Sequence, residues 1–249
     1  MRKSDWEKLE SIQGKILRGL FGMPKSTPYW GMLIELDILP IKLLIAYKRL
    51  MVYHNLMNSD DRRVARDVVI EQEKSGHKQC WFGNVEEDGN KIGIQVNEGA
   101  VVGKSKSEWK KEVKGKIRSA FEKEAEEKKQ QGKKLRFLKQ KGAETYLSVL
   151  FNNDAFEAMK IRLNMTSWIE SNFGRDSVCP LCGEIDSTEH VFACKHGGND
   201  SGVNVKDLEN GRRMKAVVEL FKQTEEKRRE HLMDNIQINF DVLRREGTL

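Results

Sequence analysis

Apolar residues recur at helical spacing through most of the chain. Trp6, Leu9, Ile12, Ile16, Leu17 and Leu20 follow a Ser4-Asp5-Trp6-Glu7 capping-box pattern and precede the breakers Gly22 and Pro24, so the spacing predicts a helix over about 4–21. Thr27-Pro28 reads as the N-cap and first residue of a short helix carrying Trp30, Met32, Leu33 and Ile34. Pro40 opens a longer one with Ile41, Leu44, Ile45, Leu50, Met51 and Tyr53. Asp60-Asp61 reads as the cap of a fourth, with Val64, Val68 and Val69 inside and an end by Gly76. Between Gly83 and Gly103 the period fails, Gly and Asn accumulate, and Ile92-Gly93-Ile94-Gln95-Val96 alternates as a short strand or extended loop does; the expectation here is an internal linker.

The helical period returns at Ser107. Trp109, Val113, Ile117, Ala120 and Phe121 form one apolar stripe, with Lys110, Lys111, Lys114 and Arg118 beside it, giving a helix with a core face and a basic face. Its Glu- and Lys-rich continuation to Gln131 reads as a solvated extension broken at Gly132. Further helices are expected near 143–151 and 154–173, then a Gly-rich loop over 195–204 and a charged amphipathic helix over 212–233. No internal repeat is visible. The regions are therefore a helical linker region over 1–82, a loop or extended linker over 83–106, a basic helical arm over 107–174, a compact Cys/His segment over 175–200 and a charged helical tail over 201–249.

Composition narrows the class. The 249 residues include only 4 prolines, and plentiful Lys, Glu, Leu and Met favour helix. Hydrophobic residues make up 38%, low but enough for a core in a chain of this size, which argues against global disorder. The longest apolar stretches, Gly31–Ile34 and Ile38–Ile45, fall far short of the ~18 uninterrupted residues of a membrane span. Met1-Arg2-Lys3-Ser4-Asp5 lacks the apolar core of a secretory signal, so the expected location is intracellular, nuclear or cytoplasmic.

Charge is unevenly placed. Lys+Arg 44 against Asp+Glu 38 gives +6, yet Lys104–Lys141 holds 15 Lys+Arg and 6 Glu, a local +9 that leaves −3 for the remainder. One cation-dense stretch in a near-neutral chain is the footprint of polyanion contact; a solvated, salt-laced helix face is the other reading of the same residues.

Three of the four cysteines fall within sixteen residues, in Cys179-Pro180-Leu181-Cys182-Gly183 followed by His190 and Cys194, a C-x2-C-x7-H-x3-C spacing. A Cys-Pro-x-Cys-Gly turn aims two thiolates at one point, Pro180 fixing φ and Gly183 free to take positive φ. Ser187-Thr188-Glu189 reads as a helix start, which places His190 and Cys194 on one face and completes a tetrahedral Cys3His shell. Four protein ligands leave no open position, so one structural zinc ion is the expected cofactor. His196 competes as fourth ligand but lies beyond the turn that holds Cys194, and Cys80 is isolated and reads as a small buried hydrophobe. The fold class is thus mainly α, a helical linker or bundle with a small Cys3His zinc knuckle.

Two carboxylate patterns are weaker. Asp60-Asp61 lacks the preceding aromatic residue and hairpin of a polymerase palm and reads as a helix cap. Asp207 with Glu225-Glu226-Lys227 loosely matches the D…E-x-K arrangement of metal-dependent nucleases, but on a continuous charged helix where those carboxylates normally project from adjacent strands. No catalytic site assembles from the sequence.

Ile16-Leu17-Arg18-Gly19-Leu20-Phe21-Gly22-Met23-Pro24-Lys25-Ser26-Thr27-Pro28, then Leu33-Ile34-Glu35-Leu36-Asp37-Ile38-Leu39-Pro40-Ile41, resembles the region following the polymerase core in non-LTR (LINE-type) retrotransposon open reading frames. Met159-Lys160-Ile161-Arg162-Leu163-Asn164, leading into the Cys179–Gly183 turn and Thr188-Glu189-His190-Val191-Phe192-Ala193-Cys194, is similar to the zinc-binding segment of their reverse transcriptases. The resemblance implies a helical linker ending in a zinc knuckle that engages nucleic acid, with Cys179, Cys182, His190 and Cys194 as ligands and the polymerase core of the same reading frame as a partner. No palm Tyr/Phe-x-Asp-Asp, fingers or convincing endonuclease is present, so the chain is expected to bind RNA or DNA and not to polymerise alone. Lys110, Lys111, Lys114 and Arg118 are the candidate phosphate contacts. A zinc-stapled helical module for protein partners and a nuclease using Asp207, Glu225 and Lys227 are the competing readings.

Overall fold

The computed structural model describes residues 3–58, 63–131, 135, 137–138, 147, 152–163, 165, 178–185, 187–200 and 202–245. Among these the chain is mainly helical: α1 (Lys3–Leu20), α2 (Tyr29–Glu35), α3 (Ile41–Met57), α4 (Arg63–Ser75), α5 (Trp81–Ile92), α6 (Glu98–Val101), α7 (Lys106–Gln131), α8 (Asn152–Arg162), α9 (Thr188–Ala193), α10 (Val205–Glu209) and α11 (Met214–Arg245). Val178 and Ile185 form an isolated antiparallel bridge. The chain divides into two compact units, Met1–Leu17 with Ile38–Lys128, and Arg18–Asp37 with Lys129–Leu249. No helix among the described residues is long and apolar enough to cross a membrane.

The first unit is organised on α3, which packs against α4, α5 and α6. Its buried Leu50 and His54 meet Trp109 of α7, whose expected stripe is buried at Trp109, Val113, Ile117 and Phe121, half-buried at Ala120 and continued by buried Ala125. Trp109 is fully enclosed and its Nε1 donates to the Leu50 carbonyl at 3.0 Å, satisfying the one polar atom that the ring takes into the core. The N-terminal helix behaves differently from its pattern: Leu17 is buried, but Ile12, Ile16 and Leu20 are 52%, 56% and 67% exposed.

The linker expected over 83–106 is not one. Residues 81–92 are helical and 98–101 form another short turn of helix, with Phe82, Val85, Ile92, Ile94 and Val96 buried. The Gly and Asn residues that suggested a loop serve close packing and capping. A Cβ at Gly89 would collide with the Val96 side chain and lie 2.8 Å from the Ile94 carbonyl, so the chain that doubles back at Gly93 (φ 70°) can approach α5 only there. Asn97 caps α6 through its side chain, accepting from the Ala100 N–H at 2.7 Å. Cys80 is a second correction: it is half-buried, and its Sγ caps α5 by accepting from the Gly83 N–H at 3.3 Å.

The second unit is held by a buried charge. Arg162, at the end of α8, is fully enclosed, and its Nε donates to Glu35 Oε1 at 2.7 Å, with Glu35 itself 1% exposed. Its Nη1 donates to the carbonyls of Leu208 and Glu209 at the end of α10, the latter at 3.3 Å. Three segments far apart in sequence are therefore joined at one guanidinium. Ile161 beside it enters a cluster with Val191 of α9, Leu208 of α10 and Val217, Val218, Leu220 and Phe221 of α11.

Two further expectations change here. The helix expected over 154–173 ends at Arg162, and the chain beyond it stays in the core, with Leu163 and Met165 buried. The charged tail expected from residue 201 is a core element in its first half, and its helix runs to Arg245 instead of stopping near Met233. The expected cap at Asp60-Asp61, the break at Gly132, residues 166–173 of the longer helix and most of the helix near 143–151 lie outside the described residues.

Two outcomes test this packing. Gly89→Ala raises intrinsic helix propensity yet is expected to destabilise by about 1–3 kcal/mol through overpacking, read from urea unfolding. Arg162→Ala is expected to cost about 3–5 kcal/mol by stranding a buried carboxylate, whereas joint Glu35→Leu and Arg162→Met costs much less in the same assay.

Candidate metal centre

The site begins with two local turns. At Cys179–Gly183 the Gly183 N–H donates to the Cys179 carbonyl at 2.8 Å and the Cys179 N–H to the Glu184 carbonyl at 2.7 Å. Gly183 takes φ 76°, the left-handed conformation that lets the chain reverse directly after Cys182. At the second turn, Ser187 caps α9 by accepting from the His190 N–H at 3.0 Å, and Cys194 is its C-cap residue. His190 and Cys194 thus leave one side of a single helical turn toward the Cys179–Cys182 loop.

These turns bring Cys179, Cys182, His190 and Cys194 together, with all four ligand atoms within 4.8 Å of one another. Cys179 Sγ lies 4.0 Å from Cys194 Sγ, and Cys182 Sγ 3.2 Å from His190 Nε2. A tetrahedral zinc shell needs S···S edges of ~3.8 Å and slightly shorter S···N edges, so the donor set and its spacing fit such an ion. All four cysteines of the chain are free thiols. His196, the competing ligand, is exposed and outside the group, and no other group of this kind forms among the described residues.

Two of the thiols are shifted in opposite directions. Burial pushes the Cys182 thiol up to about 11, with the Cys179 and Cys194 sulfurs adding to it. Burial also opposes ionisation of Cys179, but the backbone N–H of Leu181 and the Arg228 guanidinium outweigh it and hold that thiol below its ordinary value. Two partners lie outside the ligand set. Glu184 Oε2 is 3.4 Å from His190 Nδ1, which leaves Nε2 directed at Cys182. Arg228 of α11, 1% exposed, donates Nη2 to Cys179 Sγ at 3.7 Å. Glu184 follows the Cys-Pro-x-Cys-Gly turn and could have been found from adjacency; Arg228, 49 residues from Cys179, gives no sequence signal.

The other candidates fare unevenly. Lys110, Lys111 and Lys114 are exposed on α7, whereas Arg118 is half-buried, 3.3 Å from Glu122 and over the Phe121 ring at 5.6 Å. Lys104 is bonded to Glu112 at 2.8 Å, and Lys133, Lys134, Arg136, Lys139 and Lys141 lie outside the described residues. Of the nuclease trio, Asp207 closes the capping box of α10 with Asn204, and Glu225 pairs with Arg229 along α11. In the first unit a cleft of about 610 Å³ runs past Trp6, Leu43, Asp88 and Ala120, with its Lys42 and Glu124 paired to each other.

No family model, curated protein or solved structure matches the chain.

Each ligand must lose its proton to bind a metal, so lowering pH is expected to weaken binding progressively. Titration with cobalt(II) should give one thiolate-to-metal absorption band per chain, weakening on acidification and abolished by Cys182→Ala.

Proposed function

We propose that the chain is a non-catalytic nucleic-acid-binding segment of a retroelement reverse transcriptase, in which Cys179, Cys182, His190 and Cys194 hold one structural zinc ion. The observation that carries the reading is the closed Cys3His group. With four protein donors and no position for water, such an ion supplies a cross-link and no hydrolysis. The chain's own residues do the rest: Ser187 and Gly183 set the two turns, and Glu184 orients the imidazole.

Nucleic acid as the partner is supported by the exposed Lys110, Lys111 and Lys114 in a segment with local net charge +9. Contacts of this type neutralise phosphates, release counterions and do not read sequence. The resemblance of the Cys/His spacing and of the 16–41 and 159–164 stretches to LINE-type elements supplies the retroelement assignment, with the polymerase core of such an element as the partner within the same reading frame.

A second reading, a zinc-stapled module for protein partners, is favoured by the exposed Ile12, Ile16 and Leu20, spaced four residues apart on α1. The salt dependence of binding separates the two. Affinity for single-stranded RNA or duplex DNA is expected to fall linearly in a log–log plot against salt, and joint Lys110→Ala, Lys111→Ala and Lys114→Ala should reduce that slope by roughly 2–3. Arg118→Ala should change it less, because Arg118 already pairs with Glu122. An absence of binding at low salt moves the assignment to the protein-binding reading.

A further inference from the structure

We propose that the chain associates with a second copy of itself through two unlike helix faces of the first unit, the Ile12/Ile16 face of α1 docking antiparallel on the Val64/Val68 face of α4 in the next copy. Neither face involves the Cys/His group.

Both helices are already held by their other sides. In α1 Gly14 and Leu17 are buried, and α4 packs on α3 and α5 with Val69 buried. On the sides left over, Ile12 and Ile16 are 52% and 56% exposed, and Val64 and Val68 are 80% and 51% exposed. Each pair is spaced four residues apart and so forms one patch on its helix. Helix stability does not call for these residues, because Ile and Val are poorer helix formers than the Lys and Glu beside them. On α4 the two valines line an apolar groove of about 480 Å³, edged by Asp67, Glu71, Gln72 and Ser75.

Charge selects what covers each patch. At about 100° per residue, Lys8 and Lys15 lie about 40–60° to one side of Ile12, and Glu71 and Asp67 lie about 20–60° to the same side of Val64. All four are exposed. Antiparallel packing brings the corresponding sides of two helices together, whereas parallel packing sets them on opposite edges. With Ile12 against Val68 and Ile16 against Val64, Lys8 comes level with Glu71 and Lys15 with Asp67, each to within about two residues along the axis. In the same geometry α1 against α1 would oppose lysines, and α4 against α4 would oppose carboxylates, so each face rejects its own kind and accepts the other. Lys74, 2.9 Å from Glu71 in an exposed pair that water screens, comes level with Asp5.

Two unlike faces on one molecule make a heterologous contact, which passes from copy to copy until a ring closes. One helix pair is at the small end of specific interfaces, so the contact is weak and depends on concentration.

The test is sedimentation of the full chain, nuclease-treated and reduced, over about 10 μM to about 1 mM, where an interface of this size should show. The average mass should rise above that of the monomer with concentration. Joint Ile12→Gln and Ile16→Gln, or joint Val64→Gln and Val68→Gln, alters only exposed side chains, and each double variant should lose about tenfold or more in self-association. Mixed in equal amounts, the two double variants should recover one contact and stop at a dimer, because each keeps the face that the other has lost; that pairing also shows both to be folded. Adding Lys8→Glu and Lys15→Glu to the Val64/Val68 double variant should weaken the mixed dimer about 3–10-fold, and Asp67→Lys with Glu71→Lys in its partner should restore it. A wild type that stays monomeric over this range, or double variants that do not pair on mixing, overturns the proposal. Undiminished association in either double variant by itself points to contact between like faces and overturns it too, and an effect of the lysine reversals that the carboxylate reversals do not rescue overturns the antiparallel pairing.

Discussion

A guanidinium sealed from water cannot stand without a carboxylate and carbonyls around it, and the second unit is arranged to provide them for Arg162. Glu35 comes from α2, the carbonyls of Leu208 and Glu209 from the end of α10, and Arg162 itself from the end of α8. Satisfying this one group brings three separate stretches of chain to one place. The apolar cluster then closes over it, Ile161 meeting Val191, Leu208 and the first turns of α11. Since Val191 belongs to the helix that carries His190, the Cys/His group inherits its position from the same core.

That arrangement changes the meaning of the Cys/His segment. A zinc knuckle in isolation is a short loop folded around its ion. Here α9 and the turn after Cys194 are backed by Phe221, Thr224 and Arg228, so the centre is one wall of a helical unit. The resemblance motifs shift as well. Glu35 of the Leu33–Ile41 stretch and Arg162 of the Met159–Asn164 stretch meet as an ion pair in the core, so these two residues serve packing.

Much was legible in the chain itself. The helices around Trp6, Ile41 and Trp109 follow from period and breakers, and the four-residue donor set follows from spacing. The failures have a common cause. At Gly89 the glycine marks a place where two segments touch, a property of the partner segment at Ile94 and Val96 and not of the helix that carries it. On α11, read from the sequence as a charged amphipathic helix, the burial of Arg228 in the core stripe was not legible, because a buried arginine and an exposed one are the same letter.

By itself, then, the sequence determined the helical class, the two turns that present Cys179, Cys182, His190 and Cys194, and the side of α7 that faces the core, since each depends on neighbours within a few residues. Only the tertiary structure decided that residues 81–92 are a packed helix, that Cys80 is a cap, that Glu35 answers Arg162 across 127 positions and that Arg228 answers Cys179 across 49. Those pairings arise from desolvation, which makes a charge seek the nearest opposite group in space whatever the distance along the chain.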